Sequence, residues 1–298
     1  MKFNYLHSLF LLVLIWSCRP TDDPPNQLIS DNVDEGIIFV KHSDSGVSFR
    51  VKTNNPGKFK PCANKPTFAI SEDGQAALTL EQGVYWIDIH WANGEPLIQT
   101  VPVLVIKDVE YARKTVTTLK NLKQGGGEFA LVFRHADASV GIDKPASTIP
   151  QWWKSCDPDV ARQLSVTGIV RSQRIGKILK QLQVPIKKAI SSEFCRAVQT
   201  LELMELGLPI SLDPRLNHEN ANPVTFNYQE VFNSLNENRT SSGVLIASLH
   251  YNIYKNNPHW DIIRPFNMTD GFLVRVEGTG DPELVGSLPY FIWDLFEE

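Results

Sequence analysis

From residue 128 onward, apolar positions recur with two different periods in turn. "FALVF" (129–133) and "GVLIASL" (243–249) are unbroken apolar runs, the pattern of strands covered on both faces of a sheet. Between them, a segment opening near Ser165 or Thr167 carries Ile169, Ile175, Ile178, Leu179 and Leu182 at helical spacing. "KKAISS" and "PISLD" read as short strands, "CRAVQTLELMELG" as a helix closed by Gly207, and "TFNYQEVFNSLNEN" as a further helix. "GFLVRVEG" and "ELVGSL" follow as strands. Strands alternating with helices predict an α/β unit over 128–298, with helices on both faces of its sheet.

Upstream the period is two. "GIIFVKH", "GVSFRVKT", "TFAIS", "AALTL", "GVYWIDIHWA" and "LIQTVPVLVIK" are short β-rich stretches parted by turn signals such as "SDSG", "NNPGK" and "NGEP". In "VYWIDIHW", Tyr85, Ile87, Ile89 and Trp91 share an apolar face that should look inward, with Val84, Trp86, Asp88 and His90 opposite. Residues 36–107 are therefore expected to form a small antiparallel β-sandwich, to which no chemistry is assigned. Val109, Ala112, Val116 and Leu119 then mark a helical linker over 108–127, stopped by "KQGGG".

The first residues follow neither pattern. Lys2, an apolar run from Leu9 to Trp16, and then Ser17-Cys18 make a secretory leader too short to span a bilayer. Its end resembles a bacterial lipoprotein lipobox. That resemblance implies a signal peptide over 1–17, cleavage before Cys18, and a lipid on the Cys18 thiol. Residues 18–35, polar and proline-rich, are expected to be a flexible tether. The implied location is the cell envelope, periplasmic or surface-facing, with a membrane as partner.

Composition adds exclusions. The 298 residues are 42% hydrophobic and 21% charged, with a net charge of −4, so no basic footprint for nucleic acid is present. Cys62, Cys156 and Cys195 lie 94 and 39 residues apart, which matches no metal motif. Cys156 and Cys195 could pair, leaving Cys62 free, or all three could be buried thiols.

Chemistry gathers where strands end. In open α/β sheets, ligands bind beyond the carboxyl ends of the strands. Arg134-His135 follows the first buried strand, His250 follows another, and Arg196 lies one turn into the helix after a third. Arginine offers a permanently charged fork that matches phosphate. A histidine among such cations stays neutral, so one ring nitrogen is available to attack phosphorus. The set is what a phosphohistidine mechanism requires.

These residues resemble the histidine phosphatase superfamily, of phosphoglycerate-mutase-like fold. The carriers are "FRHA", the helix-opening "LSVTGIVRSQRIG", "SSEFCRAVQT" (191–200), and the late histidine of "VLIASLHYNI". The resemblance covers about residues 124–298 and implies a three-layer α/β/α domain. It implies His135 as the phosphorylated nucleophile, with Arg134, Arg196 and His250 as the phosphate pocket and no metal or other cofactor. Ala136 stands where the family usually has glycine. The general acid stays open between Glu219, one position later than the family pattern, Asp137, and none. Asp137 and His218 are candidate substrate contacts, although a loop histidine is also at home in solvent. Trp152 and Trp153 line a mouth or pack a lid, Asn252 is placed to orient His250, and His259 caps a loop.

The function expected is a phosphomonoester hydrolase acting on a small phosphorylated substrate. Two alternatives stand beside it: a non-catalytic surface lipoprotein that binds phosphorylated or glycan ligands, and a phosphatase of protein phosphohistidine.

Overall fold

The computed structural model describes residues 25–94, 96–125, 128–145, 148–221, 228–254 and 263–297. The leader, Cys18 and His259 lie outside them.

The first unit is a mixed sheet of β1 (Val33–Asp34), β2 (Ile37–Lys41), β7 (Ile98–Ile106), β6 (Gly83–Trp91) and β4 (Gly57–Pro61), in that order. β3 (Val47–Arg50) and β5 (Gln75–Leu78) pair separately. The expected all-antiparallel arrangement does not hold, because β2 runs parallel to β7. The segment "TFAIS" is not a strand; Thr67 instead donates its hydroxyl to the Trp86 carbonyl and accepts from the Cys62 amide. Residues 25–35, expected in the tether, belong to this unit: Leu28 bridges Thr53, and Val33–Asp34 pairs with β2.

Ile87, Ile89 and Trp91 point into a core with Ile38, Phe59, Val101 and Val103, as their alternation predicts. Val84, on the opposite face, is also buried. It shares a second core with Ile37, Phe39, Leu104 and Ile106, and that core continues into α1 (Val109–Asn121) and the α/β unit. α1 starts where the Asp108 carboxylate accepts the Tyr111 amide, and it buries Ala112, Val116 and Leu119. It is thus a packed layer rather than a linker.

The second sheet has the order β10 (Ile210–Leu212), β9 (Ile186–Ser191), β11 (Val244–Leu249), β8 (Phe129–Arg134), β12 (Gly271–Arg275), β13 (Glu283–Leu288). The first four are mutually parallel, and β12 and β13 are antiparallel additions. Leu131 and Phe133 face α1, α2 (Val166–Gln181) and α3 (Cys195–Glu202), whereas Ala130 and Val132 face α4 (Tyr228–Glu237). Helices therefore cover both faces, which is why β8 and β11 read as unbroken apolar runs. The chain continues past the last expected strand into a 3-10 turn, Tyr290–Phe296, that buries Ile292 and Trp293. Among the described residues, no helix is long and apolar enough to cross a membrane.

Candidate active site

Three neighbouring parallel strands, β9, β11 and β8, end at the same edge of the sheet. Arg134 is the last residue of β8 and His135 follows it; His250 follows β11; Ser192 follows β9. Ladder-like bonds carry the pairing past the strand ends. The His135 amide donates to the Leu249 carbonyl at 2.9 Å, and the Ser192 amide to the Ser248 carbonyl at 3.0 Å. This register sets the His135 and His250 rings 5.2 Å apart, both buried.

α3 brings in Arg196 on its first turn. Its guanidinium lies 4.5 Å over the Phe194 ring, which itself stands 4.4 Å from the His250 ring. Thr200 fixes this helix to the loop after β8: its hydroxyl accepts the Ala136 amide at 2.9 Å and donates to the Arg196 carbonyl at 2.7 Å. Arg134 donates to the Phe266 carbonyl at 2.7 Å and lies 5.3 Å over the Tyr251 ring.

The His135 tautomer follows from its bond. His135 Nδ1 lies 2.8 Å from the Ala136 carbonyl, an acceptor only, so Nδ1 carries the proton and Nε2 keeps a lone pair. His250 Nε2 lies 2.9 Å from the Ser192 hydroxyl, while its Nδ1 is buried without a protein partner. Arg196 Nε, His218 Nε2 and Asn252 Nδ2 are likewise buried and unpartnered. Buried polar atoms normally find partners, so this concentration of orphans marks a place built for a polar ligand.

Burial is the main force holding the His135 imidazole well below the ordinary histidine range, and the nearby Arg196, Arg134 and Arg162 charges add to it. His250 is depressed in the same way, by burial, then by His135 and Arg196. Both rings are neutral at neutral pH. Burial also lowers Arg196, to about 10, against the pull of Asp143; it remains a cation.

Asp143 and Arg162 carried no signal in the sequence, yet they are part of this cluster. The Asp143 carboxylate accepts from the Arg162 amide at 2.9 Å, from Arg162 Nε at 3.0 Å and from Arg196 at 3.2 Å. Burial works to raise Asp143, but the Arg162 amide and the two guanidiniums hold it below the usual carboxylate range. Both residues sit on the strap 137–164, which has no regular period to reveal them. Ser192 and Thr200 lie inside a quoted motif, where spacing alone gave them no task.

The remaining candidates separate. Asp137 accepts hydroxyls from Ser139 and Ser165, the latter being the N-cap of α2, and none of its bonds reaches His135, Arg196 or His250. It joins the loop after β8 to α2, where Gly168 is required: a Cβ there would sit 2.3 Å from the Asp137 carbonyl oxygen. His218 is buried rather than solvated, with its ring 5.7 Å from that of His250. Glu219 is half-buried beside it, and its charge acts on the His218 ring. Trp152 and Trp153 pack with Phe194 under the strap, and Asn252 is buried. Cys156 is bonded to Cys195 and Cys62 is a buried thiol. Among the described residues, no group of His, Cys, Asp and Glu could hold a metal ion.

No family model and no curated protein matches the chain. Among solved structures it is similar to the protein histidine phosphatase SixA complexed with tungstate, at 18% identity over 54% of this chain and 97% of that one, with a TM-score of 0.40. It is also similar to a phosphoserine phosphatase from Entamoeba histolytica complexed with phosphoserine, at 10% identity, 54% and 97% coverage and a TM-score of 0.36. A third is YhfR of Bacillus stearothermophilus, at 16% identity, 55% and 98% coverage and a TM-score of 0.35.

Proposed function

We propose that the chain is a phosphomonoester hydrolase of the histidine phosphatase superfamily, working through a phosphohistidine on His135. The observation that carries this is the pair of facts at one ring: Nδ1–H is tied to the Ala136 carbonyl, and the free Nε2 lone pair faces a buried cluster that includes Arg196 and His250. Nε2 attacks phosphorus, the N–P bond forms and the P–O bond to the leaving group breaks. Arg134, Arg196 and His250 hold the equatorial oxygens, where negative charge is spread. Water then attacks the phosphoenzyme, giving inorganic phosphate and free His135. The guanidiniums supply the positive charge that a metal would otherwise bring.

The test is hydrolysis of p-nitrophenyl phosphate by the full chain. His135→Ala is expected to lower kcat by about 10³-fold or more and to leave no phosphoenzyme, as for loss of a nucleophile. Equal rates in wild type and variant would remove His135 from the chemistry. Tight phosphate binding without turnover in either would instead favour a binding protein.

The reading extends to location: an exported protein anchored through a lipid on Cys18. The Cys156–Cys195 disulfide supports export, since such bonds persist in oxidising compartments. A Cys18→Ser chain that still partitions with membranes would refute the anchor.

A further inference from the structure

The His218 ring packs against His250, which in turn packs against His135. His135 and His250 are 5.2 Å apart, and His250 and His218 are 5.7 Å apart. The Asn220 amide donates to His218 Nδ1 at 3.1 Å, which places the ring proton on Nε2. That Nε2–H is buried and has no protein partner. Leaving such a donor unmade is costly, so a ligand atom is its natural acceptor.

Apart from Glu219, beside His218, the carboxylates nearest the site are engaged as anions or with backbone. Asp143 takes two guanidiniums. Glu193 takes Lys154, the Asn217 amide group and the Trp153 indole. Asp137 takes two hydroxyls. Asp270, although burial raises it to about 6, spends one oxygen on the Asn267 amide and the other on the Tyr290 amide. A carboxylic acid able to hand a proton to a departing oxygen is not found among these four.

We propose that His218 is a catalytic residue whose Nε2–H donates a hydrogen bond to the oxygen leaving phosphorus, so that the enzyme suits phosphates with stabilised leaving groups: aryl, enol or acyl phosphates rather than alkyl ones. This rests on the phosphotransfer reading above. In-line displacement puts nucleophile and leaving oxygen at opposite ends of the phosphorus. On this proposal His250, which contacts both other rings, meets the equatorial oxygens, and the unpartnered Nε2–H of His218 meets the apical one. As the N–P bond forms, the P–O pair stays on the departing oxygen. That oxygen leaves as an anion held by the His218 N–H and takes its proton later from water. A neutral imidazole stabilises such an anion without protonating it, which is why leaving-group basicity governs the rate.

The test compares p-nitrophenyl phosphate, phenyl phosphate and glycerol 3-phosphate, using the full chain as wild type, His218→Ala, His218→Gln and Glu219→Gln. The wild-type kcat/KM is expected to fall by about 10²-fold or more from the nitrophenyl to the alkyl ester, the typical worth of a general acid that is missing. His218→Ala is expected to lower kcat by about 10²-fold, as for loss of one oxyanion donor, with His218→Gln recovering part. Inorganic phosphate, which has no leaving group, should bind His218→Ala as it binds wild type, and this also shows the variant folded. Glu219→Gln should keep the wild-type slope. A flat wild-type series that turns steep in Glu219→Gln would make Glu219 the acid and overturn the proposal. Loss of phosphate affinity in a folded His218→Ala would make it a phosphate ligand instead, and also overturn it. Absence of turnover on every ester would sink the phosphatase reading itself.

Discussion

Three buried imidazoles give this protein a pH dependence that can be signed. His135, His250 and His218 are all held below the ordinary value of 6.5, by burial first and by neighbouring arginines or imidazoles after it. Below 6.5 the unfolded chain therefore binds protons that the native protein refuses, so the stability present above 6.5 is lost as the pH falls. Asp270 acts the other way: raised from 3.8 to about 6, it lowers stability as the pH rises across that interval. Three groups oppose one, and the histidines prevail. Thermal unfolding should show Tm dropping between pH 7 and pH 5, with a shallower drop in His250→Asn. A Tm that is flat or rises on acidification would contradict the assignment of neutral rings. At this scale the sequence was legible where chemistry and strand ends coincide: Arg134, His135, Arg196 and His250. It was silent on Asp143 and Arg162, because a carboxylate and a guanidinium 19 positions apart in an irregular strap have no pattern. It left His218 open, because burial of a loop histidine depends on what covers it.

The element that matters most is the strap between β8 and α2. It delivers Asp143 and Arg162 to the site, lays Trp152 against Phe194 (ring centroids 5.6 Å apart), and is bonded through Cys156 to Cys195, the residue before Arg196. The bond closes a separation of 39 residues, for which loop-closure entropy suggests about 4 kcal/mol. Cys156→Ser should lose stability of that order in denaturant titrations. It should also raise KM, because the strap carries Asp143 and Arg162 against Arg196. Unchanged stability and KM would mean that packing alone holds the strap. The helices were readable because caps and stripes are local: Ser165 and Asp108 begin α2 and α1 as N-caps do. The parallel pairing of β2 with β7 was not readable, because alternation tells which face is inward and not which strand lies alongside.

Over the whole molecule, the expected border near residue 107 is not a border in the core. Ile37, Phe39, Val84, Leu104 and Ile106 pack in one cluster with α1, with Leu131 and Phe133 of β8, and with Trp293. The two units should therefore unfold together. Leu104→Ala, at a fully buried position, is expected to cost about 2–5 kcal/mol and to shift activity loss and near-ultraviolet dichroism to the same lower denaturant midpoint. Two separated transitions, with activity surviving the first, would show independent units. The two-residue period of β6 foretold Ile87, Ile89 and Trp91 inside, but Val84 became buried only because a second layer lies on the outer face.

The bond from His135 Nδ1 to the Ala136 carbonyl also fixes which isomer a chemist must look for. With that nitrogen occupied, the phosphoramidate of the proposed mechanism would form at the ring atom remote from the main chain, the τ position. Such a bond is cleaved in acid and survives alkali. A trapped intermediate would vanish in conventional acidic staining or acid-quenched mass spectrometry and persist under basic quench, where a reagent selective for the τ isomer should recognise it and one selective for the π isomer should not.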